Sequence, residues 1–438
     1  MASIIEQCQV APPTCATDKL TLPLTCFDTL WILHNHHIPR ILFYKLHNID
    51  KNSFIQNIIP TLKHSLSRTL KHYLPLAGNL VCPWNSTDYP ELRYVKGDSV
   101  SVTFSQSTDM DFDYLVGNDH THNAKDFHPF VPKIAEPKDA SGVQFAPVLA
   151  IQVTLFPNHG ISISFISHHV VGDESTIVGF IKSWALLNKN DENDHDHEFM
   201  IPFYDRSIVK DPYGLRDYIW EETKKHKTKM SDIIVTPPPD NNNNNNNNNI
   251  VRRTFTLRRN HIDKLKNLIL SKRPSLTHVT SYTVTGGYVW SCLRFDPPLP
   301  SSYFGNCIIW YIASTNHVDL EGNEGFIIAT ESIGEIIYKR NKDEEYVLSG
   351  DWLKEVGAVS NKGRYLAIAG SPKYDLYEAD FGWGKPKKWH FVFFIGSGLL
   401  MSLSKSKDSD GDLEIGLYLP KTRMNAFTAI FADGLSVL

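Results

Sequence analysis

The amino-acid sequence predicts a mixed α/β chain organised as two lobes, and three observations carry that expectation. Its 438 residues, 42% of them hydrophobic, suffice for a large buried core and fit two or three domains better than one. Strand-like alternation and helix-like spacing of apolar residues interleave along the whole length. The pattern breaks once: the polar stretch NKNDENDHDHE begins at residue 188, and TPPPD (236–240) runs into nine asparagines, Asn241 to Asn249. The predicted organisation is an N-terminal lobe over 1–190, a crossover over 191–250 with a mobile polyasparagine loop, and a C-terminal lobe over 251–438. Such a tract buries too little apolar area to offset the entropy of ordering it. No repeat of fixed period is present.

Taken in order, residues 4–10 and 40–47 read as strands. Between them Leu22-Pro23-Leu24-Thr25-Cys26-Phe27-Asp28 reads as a loop, with Asp28 placed to cap a turn of helix. Phe54, Ile58, Ile59, Leu62, Leu66 and Leu70 recur at helical spacing before Pro75 and Gly78. Strands are expected at 92–94, 100–104 and 149–156. Ile262, Leu265, Leu268 and Ile269 mark a helix, and strand-like runs follow at 278–290 and 307–313. Leu399–Ser404 and Leu413–Leu419, joined by KSKDSDGD, read as a hairpin.

Charge and cysteine content exclude several classes. Lys plus Arg total 44 against 48 Asp plus Glu, a net charge of −4, so neither a strongly basic nucleic-acid binder nor a polybasic membrane binder is expected. The six cysteines include no C-x-x-C pair, and reduced packed thiols are the simplest reading. MASIIEQCQV lacks the pattern of a secretory signal and no 18-residue apolar run occurs, which points to the cytoplasm. The histidine groups at 34–37, 120–122 and 195–197 are expected in polar loops, with no metal site. The Asp408–Asp412 stretch departs from the EF-hand pattern, with Leu413 and Leu419 where it matters, and reads as a turn.

The most informative stretch is Ile161-Ser-Ile-Ser-Phe-Ile-Ser-His-His-Val-Val-Gly-Asp173. Its period of two puts Ile161, Ile163 and Phe165 on one face and Ser162 and Ser164 on the other. His169 is in phase with the apolar set and His168 with the serines. After Gly172, the spacing of Ile177, Phe180, Ile181, Trp184 and Leu187 predicts a helix, with Asp173 placed to cap or brace its start. A half-buried histidine beside a cavity can remove a proton from an alcohol or thiol. Taken alone, an internal histidine is more often a satisfied core residue than a catalyst, and His168 keeps that reading, with an orienting role as its alternative.

His169-Val170-Val171-Gly172-Asp173 resembles the H-x-x-x-D motif of the plant BAHD acyltransferases, which use acyl-CoA donors. Asp380-Phe381-Gly382-Trp383-Gly384 resembles the family's second motif. Tyr303-Phe304-Gly305-Asn306-Cys307 resembles the mark of members that acylate anthocyanin and flavonoid glycosides. Through LTLPLTCFD, YLPLAGNL, FYDRSIVKDP and LPKTRMNAF the likeness spans nearly the whole chain, and within the family it is greatest to solanaceous phenolic glucoside malonyltransferases.

The resemblance implies a two-lobed, chloramphenicol acetyltransferase-like fold, each lobe a mixed sheet with helices and an active-site channel between them. It implies malonyl transfer from malonyl-CoA to a sugar hydroxyl of a phenolic or flavonoid glucoside. His169 would be the general base for direct attack on the thioester, with no acyl-enzyme; no G-x-S-x-G elbow is present. No permanent cofactor is expected, acyl-CoA being a cosubstrate, and the enzyme is expected to act as a monomer. Asp173 would brace the motif through an arginine, and the segment Asp380, Phe381, Gly382, Trp383, Gly384 would shape the channel away from the histidine. Lys182 is a candidate for the donor's free carboxylate, with a solvated helix lysine as the alternative. The basic runs 224–229 and 251–259 are available for CoA phosphates.

Three departures stand out. Glu174 replaces the glycine usual after the motif aspartate, adding an anion near the donor. The asparagine run lengthens the crossover. Roughly twenty residues that carry the arginine partner of the aspartate in relatives are missing around Trp290-Ser291-Cys292-Leu293-Arg294, leaving Cys292 in its register and Arg294 as a substitute. Two alternatives stay open: a hydroxycinnamoyl or other acyl-CoA O-acyltransferase, and a catalytically impaired homologue that binds glycoside or CoA.

Overall fold

The computed structural model describes residues 2–33, 37–118, 121–190, 201–225, 250–274, 276, 279–289, 302–306, 312–315, 320, 324–340, 346, 352, 355, 366–392 and 399–436. In chain order the strands are β1 (Ser3–Val10), β2 (Lys19–Pro23), β3 (His37–Lys45), β4 (Asn79–Pro83), β5 (Glu91–Val95), β6 (Val100–Gln106), β7 (His122–Asn123) and β8 (Lys138–Ala140). They continue as β9 (Val143–Pro147), β10 (Leu149–Phe156), β11 (Gly160–His168), β12 (Ile250–Leu257), β13 (Leu366–Ala369), β14 (Lys388–Phe391), β15 (Leu399–Lys405) and β16 (Leu413–Pro420). Among the described residues, helices of eight residues or more are α1 (Cys26–Leu33), α2 (Ile59–Leu70), α3 (Glu174–Lys189), α4 (Leu215–Lys225), α5 (Arg259–Lys272), α6 (Ser281–Val289), α7 (Gly325–Arg340) and α8 (Lys421–Ser436).

The N-terminal lobe is built on a six-stranded mixed sheet in the order β1-β6-β10-β11-β3-β14. Its central strands β10 and β11 are buried along their full lengths, because both faces are covered. Ile161, Ile163 and Phe165 pack on one face with Leu42 and Tyr44, under α2 and α3. Ile166 packs on the other with Ile41, Phe43 and Phe127. The serines at 162 and 164 therefore face a second buried layer rather than solvent. A smaller sheet, β2-β5-β4-β9-β8, flanks this core.

The C-terminal sheet runs β13-β15-β16-β12-β7. It packs its apolar face, including Leu257, Met401, Leu403, Ile415 and Leu417, against Ile262, Leu265 and Ile269 of α5 and Met424 of α8. Two strands cross the boundary expected from composition. β14, from the C-terminal half, pairs with β3 from Lys388↔Phe43 to Phe391↔Arg40. β7, from the N-terminal half, pairs with β12. The exchanged strands meet where the rings of His122 and His390 lie 6.1 Å apart. Beneath β14 the Lys388 amine donates to Glu414 Oε2 at 2.7 Å, and the Tyr377 hydroxyl donates to the same oxygen at 3.0 Å. Burial lowers Lys388 from the usual 10.5 to about 8, although Glu414 opposes the shift.

Several local expectations are corrected. The 278–290 run is helical over Ser281–Val289: Thr280 and Thr283 cap reciprocally, each backbone N–H donating to the other's hydroxyl (2.8 and 3.1 Å). That cap outweighs the strand preference of the β-branched residues. Of 307–313, residues 307–311 lie outside the described residues. The 22–28 loop is the end of β2 and the start of α1. His37 and His122 lie in strands, His122 with Nε2 bonded to the Tyr114 carbonyl at 2.7 Å. Among the described residues no group of three or more His, Cys, Asp or Glu is placed to hold a metal. The β15–β16 hairpin is present, with Gly411 at φ +87° in its connection.

Candidate active site

His169 opens a short 3-10 turn, His169–Val171, between the end of β11 and the start of α3. The turn is tight because Gly172 abuts Thr176, where a β-carbon would lie 2.5 Å from the threonine hydroxyl. Asp173 is the N-cap of α3. Its side chain accepts from the backbone N–H of Ser175 (3.0 Å) and Thr176 (3.4 Å). Its own N–H donates to the Gly305 carbonyl at 3.2 Å. The Thr176 hydroxyl also reaches Tyr303 and Gly305 carbonyls, so residues 303–306 dock onto the start of α3.

That docking carries Asn306 to the histidine. His169 Nδ1 and Asn306 Oδ1 are 3.0 Å apart. The Asn306 side-chain nitrogen donates to Asp28 Oδ1 at 2.9 Å and to the His169 carbonyl at 2.8 Å. Both of those partners can only accept, which fixes the amide orientation. Its oxygen must then face the imidazole, and His169 Nδ1 must carry the proton. Nε2 is left as the basic nitrogen, the arrangement a general base requires.

Behind Asn306 the network ends on charge. Asp28 is fully buried and its Oδ2 accepts from Thr25 N (2.9 Å), Thr25 Oγ1 (2.7 Å) and Arg206 Nη1 (2.9 Å). The Asn306 backbone N–H donates to Oδ1 at 2.9 Å. Trp31 lies three residues after Asp28 on α1, hence on the same face. Its ring stacks on the His169 imidazole with centroids 3.7 Å apart and planes 4° from parallel. An indole face stacked on the imidazole fixes the plane of the ring. Thus LTCFD supplies Asp28, FYDRS supplies Arg206 and YFGNC supplies Asn306. Their roles were not readable from the sequence, since they act across separations as long as 278 residues.

Glu174 is the first residue of α3. The guanidinium of Arg40, on β3 and 2% exposed, forks onto its carboxylate through Nε and Nη2. The anion expected to trouble the donor is thus neutralised within the protein.

The remaining motif residues lie elsewhere. The Asp380–Gly384 segment grips the C-terminal end of α3. Asn188 donates to the Phe381 carbonyl at 2.8 Å, Lys189 pairs with Asp380 at 2.6 Å, and Phe381 packs edge-on to Trp184. A sixteen-residue helix is about 24 Å long, so this end is remote from Asp173. Asp380 Oδ1 accepts from Gly382 N and Gly384 N (2.9 and 2.8 Å), both glycines having left-handed φ of +96° and +87°. Lys182 sits about 13 Å along α3 from Asp173, and its amine pairs with Glu378 at the surface. The structure does not bring it to His169. Arg294 and Cys292, and with them the second-lobe arginine question, lie outside the described residues, as do the Asn241–Asn249 tract and residues 191–200. No helix among the described residues is long and apolar enough to cross a membrane.

Comparison with known proteins follows the same lines. The Transferase family matches residues 2–296 and 293–433, two segments that together span nearly the whole chain. Phenolic glucoside malonyltransferase 1 of Nicotiana tabacum is 58% identical, covering all of both chains. Malonyl-coenzyme:anthocyanin 5-O-glucoside-6'''-O-malonyltransferase of Salvia splendens is 38% identical over 98% of this chain and 94% of its own. The crystal structure of vinorine synthase superposes with a TM-score of 0.61 at 18% identity, covering 97% of this chain and 96% of that one, which shows the shared two-lobed fold. The chain therefore belongs to the Transferase family, among the plant BAHD acyl-CoA-dependent O-acyltransferases.

Proposed function

We propose that this enzyme transfers a malonyl group from malonyl-CoA to a sugar hydroxyl of a phenolic or flavonoid glucoside, with His169 as general base. The observation that carries the mechanism is the oriented Asn306 amide, which holds the proton on Nδ1 and turns Nε2 into the acceptor. The substrate assignment is supported by the malonyltransferase relatives at 58% and 38% identity.

In this reading Nε2 takes the proton of the sugar hydroxyl as its oxygen attacks the thioester carbonyl. The imidazolium that forms is held by the Asn306 oxygen and the Trp31 face, and the buried Asp28 carboxylate fixes the amide behind them. Collapse of the tetrahedral intermediate breaks the carbon–sulfur bond, and the proton leaves His169 to the CoA thiolate. Asp173 holds the turn through the helix cap, and the Asp380–Gly384 segment anchors the far end of the same helix. The free thiols of the described Cys8, Cys15, Cys26 and Cys82 fit a reducing, cytoplasmic setting, in which we place a monomeric enzyme.

Turnover of malonyl-CoA with a phenolic glucoside, followed by CoA release, tests the proposal. His169→Ala is expected to lose at least about 10²-fold in kcat, and equal rates in both proteins would overturn the base assignment. Coumaroyl-CoA:anthocyanidin acyltransferases are 33% identical, so coumaroyl-CoA is the competing donor to include. Preference for it would overturn the malonyl assignment alone.

A further inference from the structure

We propose that Arg40 and Glu174 form a positioning pair that sets the pose of the His169 turn, a role that rests on His169 being the base. Glu174 follows the motif aspartate and is the first residue of α3, so whatever holds its side chain holds the downstream end of the turn. The upstream end is held by β11, which pairs with β3 at Ser167↔Ile38 and Phe165↔Arg40. Arg40 therefore lies in the strand that registers one end of the turn and grips the residue that begins the other.

The guanidinium makes several contacts at once. Arg40 Nε donates to Glu174 Oε1 at 3.4 Å, Nη2 donates to Oε2, and Nη1 reaches the Ile38 carbonyl at 3.4 Å. The guanidinium also lies over the Phe391 ring, 5.1 Å from its centroid. Phe391 belongs to β14, the strand lent by the C-terminal half. One buried cation thus ties the helix start, the N-terminal sheet and the exchanged strand together. A planar fork constrains both distance and angle, which a single amine does not. A buried ion pair is weak evidence of net stabilisation, and this one is spent on orientation: displacement of the helix start by a fraction of an ångström moves the imidazole relative to the attacking hydroxyl.

The test uses the full-length enzyme with malonyl-CoA and 4-nitrophenyl glucoside as probes. The variants are Arg40→Met, Arg40→Lys, Glu174→Gln and the double Arg40→Met/Glu174→Gln, with His169→Ala alongside. Arg40→Met is expected to lower kcat by about 10-fold or more, with both KM values within about threefold of wild type. The double variant, which removes the stranded charge, is expected to regain most of the melting temperature while kcat stays low. Arg40→Lys, which keeps the charge without the fork, is expected to recover kcat only in part. If kcat in the double variant returns to wild type together with the melting temperature, or if Arg40→Met keeps wild-type kcat, the pair is only structural and the proposal fails. Should Arg40→Met not fold, Arg40→Lys and Glu174→Gln decide: wild-type kcat in both overturns the proposal, and reduced kcat at unchanged KM supports it. Activity retained in His169→Ala would instead overturn the base assignment, whatever the pair variants show.

Discussion

Replacing Asn306 by alanine tests the network at its centre. The substitution removes the oxygen 3.0 Å from His169 Nδ1 and the nitrogen that donates to Asp28 and to the His169 carbonyl. Asp28 is not stranded, because the backbone N–H of residue 306, both Thr25 donors and Arg206 remain. The fold should therefore lose only about 1–3 kcal/mol, the cost of leaving the His169 carbonyl without this donor. Catalysis should lose more. A hydrogen bond to a group that becomes charged in the transition state is worth about 1.5–3 kcal/mol, which is about 10- to 150-fold in kcat. Loss of an interaction made in the transition state lowers kcat and kcat/KM together. Steady-state turnover with both substrates varied, on protein shown to be folded by its thermal melt, measures this. Asn306→Asp is the control of equal size: it places an oxygen where the nitrogen lies 2.9 Å from the Asp28 carboxylate, and should be worse than alanine in both stability and rate. Alanine and wild-type kcat within twofold of one another would refute the tautomer argument.

Three further outcomes are expected. Lys182→Ala should leave the KM for malonyl-CoA within about twofold and stability within about 1 kcal/mol, because its amine forms an exposed pair with Glu378; a tenfold rise in KM would restore it as the donor's partner. Phe381→Ala should cost about 3–5 kcal/mol in denaturant unfolding, since its ring is buried against Tyr44, Trp184 and Trp383, while kcat per folded molecule changes little. Lys388 has a native value near 8 against the usual 10.5. Below pH 8 its cation is present folded and unfolded, so the cost of burying it is fully felt. Above pH 8 the unfolded chain binds the extra proton, and this group's contribution to unfolding free energy rises by about 2 kcal/mol up to pH 9.5. Comparing wild type with Lys388→Met over that range checks the sign, and parallel curves would refute it.

Where the chain's own local pattern governed, reading it sufficed. The alternation of Ile161, Ile163 and Phe165 and the cap at Asp173 need only neighbours within one or two turns, and both stand in β11 and α3. The helix at 281–289 was misread because threonine and valine favour strands, and only the reciprocal Thr280–Thr283 cap decides otherwise. Lys182 is a different case. A cation on the helix after the motif looks available until Glu378, 196 residues away, is seen to occupy it.

Sequence by itself determined the family, the alternation of strands and helices, and the histidine proposed here as the base, because each is written in contiguous residues. Tertiary structure alone decided which nitrogen of that histidine is basic. Asn306, Asp28, Arg206 and Trp31 come from four separated segments, and the proton's position depends on hydrogen-bond donors and acceptors that meet only when those segments pack. The same holds for Arg40 and Glu174, 134 residues apart: a lone glutamate after the motif reads as a misplaced charge, and becomes a neutralised one only when β3 lies beside the start of α3.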